Sequence, residues 1–424
     1  MNVQSGSLAP ALAGTNTRTR WVQLAAGLVC MMAISSPQYV WTLFTKPLSA
    51  AFGVPLSTLQ WTFSILVVLQ TFLSPFQGRL IERFGPRLLI SLGSILVGLS
   101  WVLSANATSL TALYLCYGGL GGIGTGIVYI GVVGLMVRWF PDRRGFAAGM
   151  VAAGYGMGAI ATTFPISASL ASNGYPATLL TYGLIFGCVG LVAAQLLRSP
   201  PDSESLPAAV ASRAGFARNL GPAQMLRSPI FWLMFFMMTL MSTSGLMVTS
   251  QMAAFAGDFG VSKLMIGSFA VIPLALTIDR FTNGLTRPFF GWVSDHIGRE
   301  NTMAIAFGLE GCAMALWYLT RTDPLLFVLL SGVVFFGWGE IFSLFPSTLT
   351  DTFGGLHATT NYGCLYLAQG IGSVLGGPLA ALIRESAGSW SPIFGLAIGA
   401  DLFSALLAIA VLKRMRTSYL SAAH

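Results

Sequence analysis

The sequence predicts an all-α membrane protein with twelve transmembrane helices in two six-helix bundles. Three observations predict it. Of 424 residues, 54% are hydrophobic and only 8% charged, with mean hydropathy +0.74; a soluble protein carries about a quarter charged residues. Apolar runs of ~18 residues or more, each long enough to cross ~30 Å of hydrocarbon, recur twelve times. One long polar stretch, 198–228, divides those runs six and six.

Residues 1–20 are small and polar, with Arg18 and Arg20 just before the first span. That span lacks the short apolar core and small-residue cleavage site of a secretory signal and reads as retained. An N-terminal bundle, 21–197, is expected to hold spans at 21–44, 57–77, 88–106, 109–137, 145–170 and 175–197. Residues 198–228, rich in Pro, Ser and Ala, read as a linker with a short amphipathic helix. A C-terminal bundle, 229–412, follows with spans at 229–255, 264–290, 301–320, 324–347, 360–383 and 390–412, then a tail, 413–424. The five cysteines all fall inside spans, where a small apolar packing role suits them better than a disulfide framework.

The net charge of +8 does not indicate a nucleic-acid partner, because of where the charges lie. Sixteen of the 22 Lys and Arg sit at the termini or in alternate loops; Lys46, Lys263, Arg321 and Arg384 occupy the intervening loops. Positive residues stay on the cytoplasmic side, so both termini and the linker are expected there, in an inner (plasma) membrane. The other two, Arg280 and Arg287, lie inside span eight.

The halves also repeat a turn. "GRLIERFGPR" (78–87) follows span two and "GWVSDHIGRE" (291–300) follows span eight, at an offset of 213 positions. A duplicated six-helix unit produces such a pair. Gly78 and Gly291 let the chain leave a crowded helix contact. Glu82 and Asp295 are placed to pair with arginine or to cap a neighbouring helix, with Arg83 and Arg299 the basic partners of each turn.

Twelve spans, a central linker and this turn in both halves resemble the major facilitator superfamily over almost the whole chain. "SSPQYVWTLFTKPL" (35–48), "GIVYIGVVGLMVRWFPDRRGFAAG" (126–149), "NGLTRPFFGWVSDHIGR" (283–299), "FFGWGEIFSLFPS" (335–347) and "NYGCLYLAQGIGSVLGG" (361–377) resemble the bacterial oxalate–formate antiporters, relatives of the proton-linked monocarboxylate transporters. The resemblance implies the major facilitator fold, alternating access and a small organic anion as substrate.

The charges in span eight carry the functional reading. An arginine at mid-membrane costs on the order of 2.5–3.5 kcal/mol on insertion scales unless it finds a partner or water. At ~100° per residue, Arg280 and Arg287 share one face about 10 Å apart along the axis, with Asn283 and Gly284 between them. Two guanidiniums and an amide suit an anionic oxygen ligand. The resemblance implies that Arg287, of the Arg-Pro pair, binds the substrate carboxylate. It also implies a cage around the substrate from Gln38, Tyr39, Tyr129, Trp338 and Tyr366. Taken alone, a membrane Tyr or Trp is more often a packing residue or an interfacial anchor.

The sequence departs from that pattern at Gln369, where the antiporters have a second cation, a lysine. Arg280, Glu340 and Asp279 are charges the antiporters lack. Two readings follow. Arg280 replaces the lysine and clamps a dicarboxylate with Arg287, giving oxalate–formate exchange. Alternatively, Arg280 pairs with Asp279 or Glu340, and Arg287 alone holds a monocarboxylate such as formate, lactate or pyruvate, with Glu340 or Asp279 carrying a coupled proton. The second needs fewer special placements and is preferred. Glu310 and Asp401, also in apolar surroundings, are expected to hydrogen-bond neighbouring helices.

Nothing in the sequence suggests an enzyme or a cofactor. The three histidines, His296, His357 and His424, lie in loops or at the terminus, and "GLGGIG" (119–124) sits inside a span and follows no strand. The expected partners are a small anion, protons and lipid, with the chain a monomer. An anion sensor without net transport and a carrier of lipophilic cations are the rival classes. The first lacks an added signalling domain, and two arginines facing a cavity oppose the second.

Overall fold

The computed structural model describes residues 17–59, 61–200 and 219–421. Its helices are α1 (Arg18–Tyr39, continued after a 42° bend by Trp41–Phe52) and α2 (Trp61–Phe72, continued after a 53° bend by Ser74–Phe84). Then come α3 (Pro86–Ala105), α4 (Leu110–Trp139), and α5 and α6, which share the run Arg144–Gln195. The second half has α7 (Pro229–Asp258), α8 (Val271–Ile297) and α9 (Arg299–Leu319). It ends with α10 (Pro324–Phe353), α11 (Ala358–Ala387) and α12 (Ser391–Ser421). A two-residue hairpin, β1 (Met265–Ile266) with β2 (Phe269–Ala270), joins α7 to α8.

Among the described residues, eight helices are individually long and apolar enough to cross a bilayer, ten with the bent pairs counted. The other two of the twelve have physical explanations. The run Arg144–Gln195 has 52 residues, about 78 Å of helix and far more than one crossing needs. It turns at Gly174, whose φ of 76° only glycine adopts readily, so α5 occupies 144–173 and α6 175–195. Helix α8 fails on charge, with Asp279, Arg280, Arg287 and Asp295 along its length. The bends in α1 and α2 lie beside Pro37 and Pro75, which lack the N–H that would continue the helix. Asp323 caps α10 by accepting from Leu326 N–H at 2.9 Å.

Helix surfaces facing outward are apolar. On α3, Leu88, Leu92, Ile95, Leu99 and Leu103 are all exposed at helical spacing. Such a stripe belongs against hydrocarbon. Inside each bundle small residues bring helices together: Gly93 of α3 meets Gly124 of α4, and Gly311 of α9 meets Leu402 of α12.

Two seams join the bundles, and they are related by the repeat: α2 lies on α11, and α5 lies on α8. In each, a side chain would separate the backbones. A Cβ on Gly78 would stand 2.7 Å from the Thr359 carbonyl, and one on Gly149 would collide with the Arg287 carbonyl.

The bundle end where the described residues begin and end is closed by polar contacts. Asp295 accepts from the Gly145 and Phe146 N–H groups, at 3.0 and 2.9 Å, at the first turn of α5. Glu82 accepts from Thr360 N–H at 2.9 Å and from its hydroxyl at 2.5 Å, at the first turn of α11. Each repeated turn thus caps a helix of the other bundle. Gly85 and Gly298 close the two turns with matching backbone, φ 89° and 93°. The seams differ in charge. Arg299 bridges Asp295 and Asp351, and Arg144 reaches Asp351 from the other bundle, whereas Glu82 meets only His357 at 3.4 Å. Arg83, expected beside Glu82, is exposed and lies over the Phe84 ring.

Of the linker expected at 198–228, residues 201–218 lie outside the described residues, as do 1–16 and 422–424 of the tails. Its described end forms one helical turn, Pro222–Met225, and Leu220 N–H donates to the Phe353 carbonyl at 2.9 Å. All five cysteines are free.

Candidate functional site

Arg287 is 1% exposed and lies where α8 meets α5. Its Nη1 donates to the Ala152 carbonyl of α5 at 2.6 Å and its Nη2 to Asn283 Oδ1, one turn earlier on α8, at 2.7 Å. The guanidinium stands 4.5 Å from the centre of the Phe342 ring, a contact that counts most where water is excluded. None of these partners carries a negative charge. Arg287 Nε and Asn283 Nδ2 are both buried and without a hydrogen-bond partner.

Aromatic rings from both bundles line the same region. Tyr129 of α4 stacks on Tyr366 of α11 at 5.0 Å and meets Tyr155 of α5 edge-on at 5.2 Å; Tyr155 in turn meets Tyr39 at 5.3 Å. The Tyr155 hydroxyl donates to Gln38 Oε1 at 2.5 Å. Gln70 of α2 reaches the Tyr155 and Tyr366 hydroxyls at 3.4 and 3.3 Å. Tyr129 and Tyr362 have adjacent hydroxyls without a formed hydrogen bond. Gln369 is nearly buried, with its Oε1 unpartnered.

The structure therefore brings together Arg287, Asn283, Tyr39, Gln38, Tyr129 and Tyr366. Trp338 stands one ring away, edge-on to Phe342 at 5.7 Å. Its indole N–H donates to the Met241 carbonyl at 2.9 Å and its ring fills the space beside Gly245, so its polar edge is spent on α7. Tyr155, Gln70, Tyr362 and Phe342 were not singled out from the sequence. Gln70 had a signal, an amide in the middle of an apolar span. Tyr362 stands four residues before Tyr366, on the same helix face.

Arg280 makes no ion pair with Asp279 or Glu340. It reaches across to α1, donating to the Tyr39 carbonyl at 3.0 Å over that ring. Asp279 is buried with both carboxyl oxygens unpartnered. Glu340 stands on the Arg287 side, within electrostatic reach of Arg287 and Asp401. Glu310 and Asp401 meet a neighbouring helix through Ser244 of α7, whose hydroxyl is 2.9 Å from Asp401 Oδ2 and 3.5 Å from Glu310 Oε1.

The comparisons with known proteins agree with this architecture. The family model described as Major Facilitator Superfamily matches residues 23–278 and 237–421. An oxalate:formate antiporter from Oxalobacter formigenes is 33% identical over 397 residues, covering 93% of this chain and 92% of the relative. A bovine protein named monocarboxylate transporter 13 is 26% identical, covering 82% and 79%. Among solved structures, a proton:xylose symporter bound to 6-bromo-6-deoxy-D-glucose superposes with a TM-score of 0.73 at 14% identity, covering 94% of this chain and 96% of that one. At that identity the likeness concerns the fold alone.

Proposed function

The chain belongs to the Major Facilitator Superfamily, multi-pass membrane transporters that work by alternating access, and on that premise we propose that it carries small carboxylate anions on Arg287. The observation that carries this reading is the pair of buried donors, Arg287 Nε and Asn283 Nδ2, that find no acceptor. A buried, unpartnered donor costs ~1–3 kcal/mol, a cost removed by a carboxylate oxygen placed against both. Tyr129 offers a third donor from the opposite bundle, so the anion would touch both halves. The ring contacts around it exclude water and strengthen the charge-assisted bonds.

A monocarboxylate such as formate, lactate or pyruvate suits the site best. Gln369 is neutral, and Arg280 turns toward Tyr39 rather than toward Arg287. Proton coupling falls to the buried acids of the C-terminal bundle, with Glu340 the one that faces Arg287. Asp279, away from that centre, serves as a counter-charge for Arg280 within the same helix turn. One observation favours a second reading, oxalate–formate exchange. Among the described residues Arg280 forms no salt bridge and is held by the Tyr39 carbonyl, a contact it can exchange for a second carboxylate. We read both termini as cytoplasmic, in the plasma membrane, with the repeated turns latching the carrier closed on that side. The protein works as a monomer without chemistry or cofactor.

Uptake into reconstituted vesicles tests this. Labelled lactate, formate and oxalate are offered to vesicles preloaded with each anion or with buffer, with and without an inward proton gradient. Monocarboxylate uptake driven by protons supports the first reading, and oxalate uptake that needs internal anion supports the second. Uptake of lipophilic cations without any anion would overturn both.

A further inference from the structure

A second polar centre lies in the core of the C-terminal bundle, away from the substrate region. Glu310 of α9, Asp401 of α12 and Glu340 of α10 are each 0% exposed, and Ser244 of α7 stands between the first two. Gly337 lets α10 press against Glu310: a Cβ there would lie 2.7 Å from the Glu310 Cβ. Glu340 is one turn further along α10, within electrostatic reach of both other acids. Both its oxygens are unpartnered, as are Glu310 Oε2 and Asp401 Oδ1. The charged groups that α7, α9, α10 and α12 bring here are these three acids, and the cation facing them is Arg287 of α8, across Glu340. The described residues contain no group arranged to hold a metal ion.

Charge counting limits the protonation states. A buried carboxylate needs a counter-charge or a proton. With Arg287 the facing cation, one of the three acids can be ionised while the anion site is empty, and none once a monoanion sits on Arg287. Hydrogen bonding selects which acid that is. Asp401 accepts from the Ser244 hydroxyl, the side-chain donor that reaches the cluster among the described residues. Glu310, as the neutral acid, can donate its O–H to Ser244 Oγ. The chain Glu310–Ser244–Asp401 then runs in one direction and ends on an ionised Asp401. Glu340 forms no hydrogen bond to another side chain and is taken as neutral.

We propose that Glu310, Ser244 and Asp401 form the carrier's proton-binding site, with Asp401 the carboxyl that takes up one proton when a monocarboxylate occupies Arg287. Glu340 is the neutral link between the two centres. The coupling runs through Glu340, which faces both Arg287 and Asp401: an anion on Arg287 weakens the positive field along that line and favours a proton on Asp401. This rests on the carboxylate reading above, and it makes the transport electroneutral, with one proton for each monoanion.

The test uses the full chain in proteoliposomes and in detergent. Asp401→Asn should cut proton-driven accumulation about tenfold or more while lowering anion exchange much less. Ser244→Ala should lower that accumulation several-fold, and Ser244→Thr, which restores a hydroxyl, should recover it. Infrared difference spectra should show a protonated-carboxyl C=O band that grows on addition of the transported anion to the wild type and is missing from Asp401→Asn. If Asp401→Asn couples like wild type while Glu340→Gln does not, the proposal is overturned in favour of Glu340. If exchange and coupling fall together with the infrared band intact, it is overturned in favour of a packing role. A wild type that moves no carboxylate defeats the carboxylate reading instead. An acid-titrated infrared band then still decides whether Asp401 binds a proton beside Ser244.

Discussion

Two buried polar centres lie side by side in the C-terminal half, and they are opposites. Around Arg287 the unpartnered atoms on α8 are donors, Nε of the arginine and Nδ2 of Asn283. Around Asp401 unpartnered carboxyl oxygens gather, on Glu310, Asp401 and Glu340. A folded protein seldom leaves either kind unsatisfied. The difference separates the two proposed roles: buried donors suit an anionic oxygen, and carboxyl oxygens suit protons. Glu340 belongs to the second by composition and faces the first by position, and on the proposal above it links the two.

The comparison breaks if the donor centre is dispensable. Arg287→Ala should reduce carboxylate uptake on the order of 100-fold or more, because it removes the buried guanidinium that faces the ligand. Arg287→Lys should recover little of this, since a lysine lacks the planar fork that holds Ala152 and Asn283 while facing a ligand. Initial uptake rates within threefold of wild type would refute the assignment.

Asn283→Asp sharpens the contrast by making the donor centre an acceptor. The new carboxylate would pair with Arg287 and compete with substrate. Uptake should fall roughly 30-fold, against about fivefold for Asn283→Ala, which loses one hydrogen bond. Equal effects in the two variants would mean that Asn283 only packs.

The seams give a smaller effect. Glu82→Gln weakens the cap on α11, and Cys364, one turn beyond Thr360 and 7% exposed, should label several-fold faster with a thiol reagent as the α2–α11 seam opens. Unchanged labelling would show that the cap does not hold the seam. The smallest effect lies at the opposite bundle end. The Trp390 indole and the Arg384 guanidinium hold the exposed Asp258 carboxyl below its ordinary value. That clasp contributes stability above the unfolded carboxylate value and loses it as pH falls through the lower, folded one. Asp258→Asn should therefore cost ~1 kcal/mol or less at neutral pH and nothing once the wild-type carboxylate is protonated, as thermal unfolding across that range would measure.

Much of this was legible in the sequence because hydropathy and repetition carry it. The twelve spans, the paired turns and Arg287 all follow from apolar runs and from charges that interrupt them. The partner of Arg280 was not legible. Helix periodicity places Arg280 beside Asp279 in sequence but says nothing of a side chain that crosses to Tyr39 on α1. The bond of the Trp338 indole N–H to a carbonyl on α7, 97 positions away, was not legible for the same reason. The acid centre was half legible. Glu310 and Asp401 stood out singly as charges in apolar runs, but only the packing of α7, α9, α10 and α12 brings them to one serine.

The most direct test of the central claim is a calorimetric titration of the purified protein with formate, lactate, pyruvate and oxalate. The titration is run on the wild type and on Arg287→Lys, each first confirmed to be folded by its thermal transition. Saturable binding of at least one of these anions to wild type, lost in Arg287→Lys, is the predicted result. An anion that binds Arg287→Lys as tightly as wild type would contradict the account, because the carboxylate would then be held somewhere other than the donor centre on α8.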